Sequence, residues 1–263
     1  MRLISILTAV LAYGLSASAQ TMVSAMAGYV YHVEGEVLIE GKRIQPKPED
    51  FLHVQDGQAL TTREGRVELM LTPGSFLRLG PNSEFEMIDA GLLSARMRLH
   101  SGNAVIDLFS VDDGENLILE AGDSEIKFMS GGSYRIDANA DYAVVKVRNG
   151  QAKVSGQDLK PRKLGGGRSL TLPIDPAAKA EKFNRSDPDP LTDWSKARQT
   201  KLLAMARASA RTKGAPSDYA SRAILELVMH RRQIEATAAR MPQNRTSGGA
   251  CCSNRGAAGQ VSN

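Results

Sequence analysis

Apolar and polar residues alternate along most of the chain between Gly28 and Leu172. Alternation places one set of side chains on a buried face and the other in solvent, as in a half-buried β-strand. The clearest apolar sets are Val67, Leu69 and Leu71; Phe85 and Met87; Met97 and Leu99; Ala143, Val145 and Val147. The pattern predicts a mainly β body over residues 28–172, built from short strands.

Glycine-containing turn sequences separate these runs. Glycine supplies the positive φ that tight turns require. Asn149-Gly150, flanked by Val144–Val147 and Ala152–Val154, is the strongest of these signals, and we predict a β-hairpin there. The others are Asp56-Gly57, Glu64-Gly65, Pro73-Gly74 and Ser101-Gly102. Short strands at spacings of about ten residues favour a sandwich, a roll or a solenoid-like body.

A weak internal repeat accompanies the turns. A glycine, one polar residue and then an alternating strand occur together four times, beginning at Gly35, Gly65, Gly102 and Gly150. The spacing between copies is not constant, so the repeat does not predict a strict solenoid.

The N-terminus resembles an export signal. A positive start at Arg2 precedes a short apolar run, and Ala17 and Ala19 fit a small-x-small cleavage pattern that makes Gln20 the first mature residue. We therefore predict that residues 1–19 are a signal peptide and that the mature protein is periplasmic or secreted. The alternative is an uncleaved membrane anchor, although the run is shorter than the roughly 20 residues of a typical membrane span.

The C-terminal part is predicted to be helical. Prolines near residue 190 indicate that residues 173–190 form a linker, because proline interrupts regular structure. Two helices follow in residues 191–241. Trp194 in the first helix is a candidate interaction residue. A stripe of Trp194, Ala197, Leu202 and Met205 predicts the packed face of that helix.

The second predicted helix begins near Ser217 and has a clearer apolar face. Ile224, Leu227 and Val228 lie on that face and are candidate interaction residues. The helix could pack on the β body or on the first helix, or it could bind a partner or a membrane surface. No segment after the N-terminus predicts a stable membrane span.

Residues 242–263 have a disorder-like composition and are predicted to be a disordered basic tail. The tail contains adjacent cysteines, Cys251 and Cys252, which join to each other only with strain. These thiols could remain free or pair between chains, and the sequence does not decide between these states.

Composition and charge add two points. Hydrophobic residues make up 42% of the chain but aromatic residues only 5%, which predicts a mostly aliphatic core. The net charge of +4 divides into an acidic part, residues 20–182, and a basic part, residues 183–263. A basic part can bind an anionic partner, or it can consist only of solvated helix faces and a tail.

Catalytic patterns are not recognisable in the sequence. The four histidines are scattered, and neither a nucleophile elbow nor a phosphate-binding loop occurs. The acidic run Asp112–Glu115 lacks the spacing of a calcium loop, and Glu34 with Glu36 lacks a distant carboxylate partner. We predict a non-enzymatic protein with no cofactor, no metal site and no nucleic-acid partner.

The order of motifs from Asp56 to Val154 resembles the FecR-like domain family. The motifs are Asp56–Thr62, Gly65–Leu69, Thr72–Ser83, Leu99–Ala104 and Val145–Val154, with Val33–Val37 similar to the leading strand of the family. Trp194-Ser195-x-x-Arg198 is similar to a segment that follows the β domain in some soluble FecR-like proteins. Gly131–Arg135 matches the family pattern more loosely.

The resemblance implies a role in signalling, with one departure. Signalling members of the family have a sigma-factor-binding segment and a membrane span before the β domain, whereas here only 27 residues precede Gly28. We therefore expect an exported binding module of the bacterial envelope with a protein partner. The alternatives are an envelope polysaccharide-binding protein and a periplasmic signalling regulator that acts through a separate membrane partner. The oligomeric state stays open.

Overall fold

The computed structural model describes residues 26–46, 50, 52–72, 74–91, 93–156 and 159–209. Several sequence predictions lie outside these residues. They are the signal peptide with Ala17, Ala19 and Gln20, the second helix with Ile224, Leu227 and Val228, and the tail with Cys251 and Cys252.

The described residues form sixteen β-strands and one α-helix, so the predicted mainly β fold is confirmed. The strands are β1 Tyr29–Glu34, β2 Val37–Ile39, β3 Lys42–Arg43, β4 Gln58–Thr62, β5 Arg66–Thr72, β6 Ser75–Leu79, β7 Ser83–Ala90, β8 Ala95–Leu108, β9 Ile118–Ala121, β10 Ser124–Phe128, β11 Gly132–Ala138, β12 Ala143–Asn149, β13 Gln151–Ser155, β14 Arg162–Gly165, β15 Arg168–Leu172 and β16 Glu181–Lys182. Helix α1 is Pro190–Ser209.

The strands form two sheets that share the long strand β8. Sheet I has the order β1-β5-β6-β8-β11-β12-β15-β16. Sheet II has the order β3-β2-β4-β7-β8-β9-β10-β13-β14. Neighbouring strands are antiparallel except for β8 and β9, which are parallel. The first half of β8 pairs in sheet II and its second half pairs in sheet I.

One aliphatic core lies between the two sheets. Leu69 and Leu77 of sheet I belong to the same buried cluster as Leu60 and Met97 of sheet II, and all four side chains are fully buried. Few aromatic rings contribute, in agreement with the composition. Burying this much apolar surface is the main force that holds the two sheets together.

The predicted hairpin at Asn149-Gly150 is wrong. Strand β12 pairs with β11 and β15 in sheet I, whereas β13 pairs with β10 and β14 in sheet II. Gly150 has a φ of 95°, and the chain passes there from one sheet to the other. By contrast, β5 and β6 do pair with each other, with Thr72 opposite Ser75, at the turn sequence that contains Gly74.

All four glycines of the weak repeat mark passages between the sheets. Gly35 lies between β1 and β2, Gly65 between β4 and β5, Gly102 within β8, and Gly150 between β12 and β13. At each of these points the chain leaves one sheet and enters the other. The repeat therefore reflects the way in which the chain alternates between layers.

Residues 173–190, predicted as a linker, include structured parts of the body. Strand β16 pairs with β15, and Ile174 is buried in the main core. The guanidinium of Arg162 donates hydrogen bonds to the backbone carbonyls of Asp175 and Pro176. Proline has no backbone N–H and therefore cannot donate to a regular β-ladder. The carbonyl groups of Asp175 and Pro176 accept hydrogen bonds from Arg162 on β14 instead, so this segment still packs on the body.

We expect His53 to make the stability of the fold depend on pH. Burial lowers the pKa of His53, while a hydrogen bond with the backbone of Ala27 acts in the opposite direction. The folded protein therefore favours neutral His53, and the unfolded chain takes up its proton first as the pH falls.

We expect the free energy of unfolding to decrease as the pH falls below about 6.5, the ordinary pKa of histidine. In the variant His53→Phe this part of the decrease should disappear, because phenylalanine keeps a ring beside Tyr29 but does not titrate. Urea denaturation of both proteins at pH 5, 6 and 7 measures the free energy of unfolding. An unchanged pH profile in the variant would show that other groups cause the dependence.

Candidate interaction site between helix α1 and sheet I

Helix α1 starts with two local signals. Asp189 accepts hydrogen bonds from the backbone N–H groups of Leu191 and Thr192, as an N-cap does, and Pro190 occupies the first helical position. The Nε of Arg135 on β11 lies 3.2 Å from Asp189. Burial acts to raise the pKa of Asp189, but the hydrogen bonds from Thr192 and the charge of Arg135 outweigh it, so the pKa lies below its ordinary value.

Within residues 190–205 of α1, the buried side chains are those of Leu191, Thr192, Ser195, Arg198 and Leu202. The stripe predicted from the sequence is wrong at two positions, because Ala197 and Met205 are exposed. The outer face of sheet I is polar where α1 crosses it. The helix therefore packs with its polar residues Ser195 and Arg198 against the sheet, where they bond to Asp107 and Glu68. Leu202 adds an apolar contact with Met70 and Phe76.

Glu68 of β5 lies between two arginines. Its Oε2 accepts a hydrogen bond of 2.6 Å from the Nε of Arg78 on β6, and its Oε1 accepts one of 2.8 Å from the Nη2 of Arg198 on α1. Glu68 and Arg78 are fully buried, and the side chain of Arg198 is 9% exposed. Charges removed from water to this extent depend on each other for compensation.

Asp107 of β8 completes the cluster. Its Oδ2 accepts a hydrogen bond of 2.6 Å from the Nη1 of Arg78 and another from the hydroxyl of Ser195. Two carboxylates thus balance two guanidinium groups beneath the helix. The guanidinium of Arg78 also lies 5.1 Å from the ring centroid of Phe76, within the range of a cation–π contact.

Trp194 lies at the side of this cluster and is half-buried. Its Nε1 donates a hydrogen bond of 3.0 Å to Glu34 on β1, its ring stacks on His32, and the guanidinium of Arg66 lies over the ring. Burial acts to raise the pKa of Glu34, yet the hydrogen bonds from Trp194 and His32 and the positive charges nearby lower it overall. The predicted interaction residue therefore makes its contacts within the chain.

The segment Trp194-Ser195-x-x-Arg198 is thus the docking motif of α1. Each of its three named residues bonds to a different strand of sheet I: Trp194 to β1, Ser195 to β8 and Arg198 to β5. Side chains three and four positions apart share one face of a helix, which is why this spacing can fasten the helix to a sheet.

A cleft of about 850 Å³ lies beside the docked helix. One wall comes from α1, including Lys196 and Gln199, and the other from the ends of strands β8, β11 and β12. Arg148 and the exposed side chain of Met129 contribute a charge and an apolar surface. The cleft can therefore accept a chain segment that has both polar and apolar groups.

The acidic groups considered from the sequence serve local structure. Glu34 binds Trp194 as described, and Glu115 accepts a hydrogen bond of 3.0 Å from the backbone N–H of Asp112 within a turn. In the described part of the chain, no group of three or more histidine, cysteine or acidic residues is arranged to hold a metal ion. Within the same residues, no helix is both long and apolar enough to cross a membrane.

The fold and the docked helix define a two-layered β domain with a helical attachment, and a family model matches part of this domain. Residues 58–153 match the model of the family described as FecR protein. The segment that matches the FecR model extends from the start of β4 into β13, and the resemblance drawn from the motifs is confirmed. Glu68, Arg78 and Asp107 lie inside the matched segment, and their partners on α1 lie beyond it.

Two similar solved structures are both of a proposed anti-sigma factor from Parabacteroides distasonis. One has 14% sequence identity over 68% of this chain and 91% of that chain, with a TM-score of 0.42. The other has 15% identity over 67% of this chain and 90% of that chain, with a TM-score of 0.41. No curated protein matches the chain.

Removing the guanidinium of Arg198 is expected to loosen α1 without unfolding the sheets. In the variant Arg198→Ala, the docking of α1 should be weakened by about 1.5–3 kcal/mol, the value of a hydrogen bond to a charged group. Trp194 is the single tryptophan of the chain, so its fluorescence reports on docking. We expect its emission to shift to longer wavelength, because water reaches the ring when the helix leaves the sheet.

The matched control is Lys201→Ala, which removes an exposed cation from the same helix. It should leave the emission unchanged. Equal spectra for Arg198→Ala and the unmodified chain would contradict the assignment of Arg198 as a docking residue.

Proposed function

We propose that this chain is a non-enzymatic, exported binding module of the bacterial cell envelope that takes part in signalling. Its FecR domain supports a regulatory role, and the sequence of residues 1–20 supports export. In this proposal the protein is periplasmic or secreted. It contacts an envelope protein, which can be a separate membrane partner that carries the signal onward.

The single observation that carries the proposed mode of binding is the cleft between α1 and the strand ends. One of its walls belongs to the FecR domain and the other to the helix, so that the cleft exists only while the helix is docked. Half-buried Phe109 and Val111, together with Met129, offer apolar anchors. Arg148 and Gln199 at the same cleft offer polar contacts, a combination typical of protein-binding sites.

A cross-linking experiment tests the proposal. The full chain, tagged at its C-terminus and expressed from its own gene, would be cross-linked in intact cells and isolated with the envelope fraction. We expect the tagged chain outside the cytoplasm and one envelope protein captured reproducibly. A cytoplasmic location would contradict export, and capture of copies of itself alone would contradict a separate protein partner.

A genetic measurement tests the signalling part. Deletion of the gene should change the expression of a defined set of genes, and a plasmid copy should restore it. A copy with Lys196→Glu, which reverses a charge at the cleft wall, should restore it less well. Restoration to the same level would contradict the role of the cleft.

A further inference from the structure

A row of three lysines crosses the outer face of sheet II. Lys127 of β10 lies opposite Lys153 of β13, and Lys153 lies opposite Lys163 of β14. Their neighbours Ile126, Ala152 and Leu164 are buried, so alternation directs the lysines to the outside. With adjacent strands about 4.8 Å apart, the three lysines lie in a line of about 10 Å.

Like charges directly opposite each other destabilise a sheet. Among the described residues no carboxylate pairs with any of the three lysines, whereas the acidic groups closest to the row are already paired. Arg96 binds both Glu120 and Glu125 on the same face, and Arg98 also binds Glu120. The three lysines therefore repel one another, and an anion bound along the row would reduce this repulsion.

We infer that the lysine row, Lys127, Lys153 and Lys163, binds an anionic polysaccharide, a linear polymer that carries a carboxylate on its sugar units. A linear polymer can lie along the row and place successive anions near successive lysines. The ion pairs would remove the repulsion between the strands, so that binding and folding support each other.

The surroundings of the row favour this occupant over two others. Three glutamates, Glu86, Glu120 and Glu125, share this face with two arginines, Arg96 and Arg98. An anionic membrane surface lying flat on sheet II would therefore meet net negative charge beside the lysines. The positions beside the row on its other side are Met129, Gln151 and Gly165, and none of them offers an aromatic ring on which a nucleic-acid base could stack.

The inference does not depend on the cleft beside α1, which involves other residues. Sheet II could hold the protein on an envelope polymer while the cleft binds its protein partner. Scarce aromatic residues argue against stacking on neutral sugars, but an anionic polymer needs only the charges.

Binding of polygalacturonate to the full chain tests the inference. The variant Lys127→Gln/Lys153→Gln/Lys163→Gln should bind at least tenfold more weakly, and Lys153→Gln alone should bind about threefold more weakly. The affinity of the unmodified chain should fall as salt is added, because salt screens the charges. The melting temperature of the triple variant should not fall, because the substitutions remove repulsion.

The matched control is Lys42→Gln/Lys182→Gln/Lys201→Gln, which removes the same charge from exposed positions elsewhere. It should change the affinity less than twofold, and the basic C-terminal residues are the same in all variants. An equal loss in the control, or no loss in the row variant, would overturn the inference. The binding of phosphatidylglycerol vesicles or of a single-stranded oligonucleotide could require the lysine row while the binding of polygalacturonate does not. That result would overturn the assigned occupant.

Discussion

Replacing Glu68 by leucine is expected to lower the free energy of unfolding by about 3–5 kcal/mol, the cost of leaving a buried charge without its partner. Glu68 accepts hydrogen bonds from both Arg78 and Arg198, and its side chain is fully buried. The leucine would leave Asp107 as the one carboxylate bonded to Arg78 and would leave Arg198 without a carboxylate. Urea denaturation followed by circular dichroism measures the change.

Glu84→Leu is the matched control, because Glu84 is exposed on the outer face of sheet II. This substitution should change the free energy of unfolding by no more than about 0.5 kcal/mol. A loss of less than about 1 kcal/mol for Glu68→Leu would mean that the buried cluster contributes little net stability.

The substitution Gly102→Ala is expected to lower the free energy of unfolding by about 2–5 kcal/mol, as the sum of two effects. Gly102 has a φ of 92°, which costs an L-residue about 1–2 kcal/mol. In addition, a Cβ atom would lie 2.4 Å from the Cα of Ser83, and relieving such a clash costs about 1–3 kcal/mol. Ser83 cannot move freely, since its hydroxyl donates to the carbonyl of Gly80.

Gly41→Ala separates the two reasons. Gly41 also has a positive φ, 72°, but a Cβ atom there would have nothing within 4 Å. Thermal unfolding should show a loss of only about 1–2 kcal/mol for this variant. Equal losses at Gly41 and Gly102 would show that the passage of β8 between the sheets is not tightly packed.

The alternation of residues predicted the strands well because it reflects burial, which is a local property of each strand. It did not predict which strands are neighbours. Asn149-Gly150 has the composition of a hairpin turn, yet at Gly150 the chain crosses from sheet I to sheet II. Strand β13 cannot pair with β12, because β11 and β15 already occupy both sides of β12. The same glycine geometry suits both connections, so only the packing of distant strands decides between them.

The site was partly accessible from the sequence. Resemblance drew attention to Trp194-Ser195-x-x-Arg198, but not to its partners. Arg198 is 130 residues from Glu68 and Ser195 is 88 residues from Asp107, so that no local pattern connects them. One signal was present: Arg78 interrupts the apolar strand Phe76–Leu79, and a charged residue in such a strand calls for a buried partner.

Site-specific cross-linking in intact envelopes tests most directly whether the docked helix creates the partner-binding surface. A photo-reactive amino acid would replace Gln199 at the cleft, or Glu84 on sheet II as a control, in the full chain with and without Arg198→Ala. We predict that Gln199 captures one envelope protein, that Glu84 does not capture it, and that Arg198→Ala abolishes the capture. Equal capture from Glu84, or undiminished capture with Arg198→Ala, would contradict a binding surface built by the docking of α1.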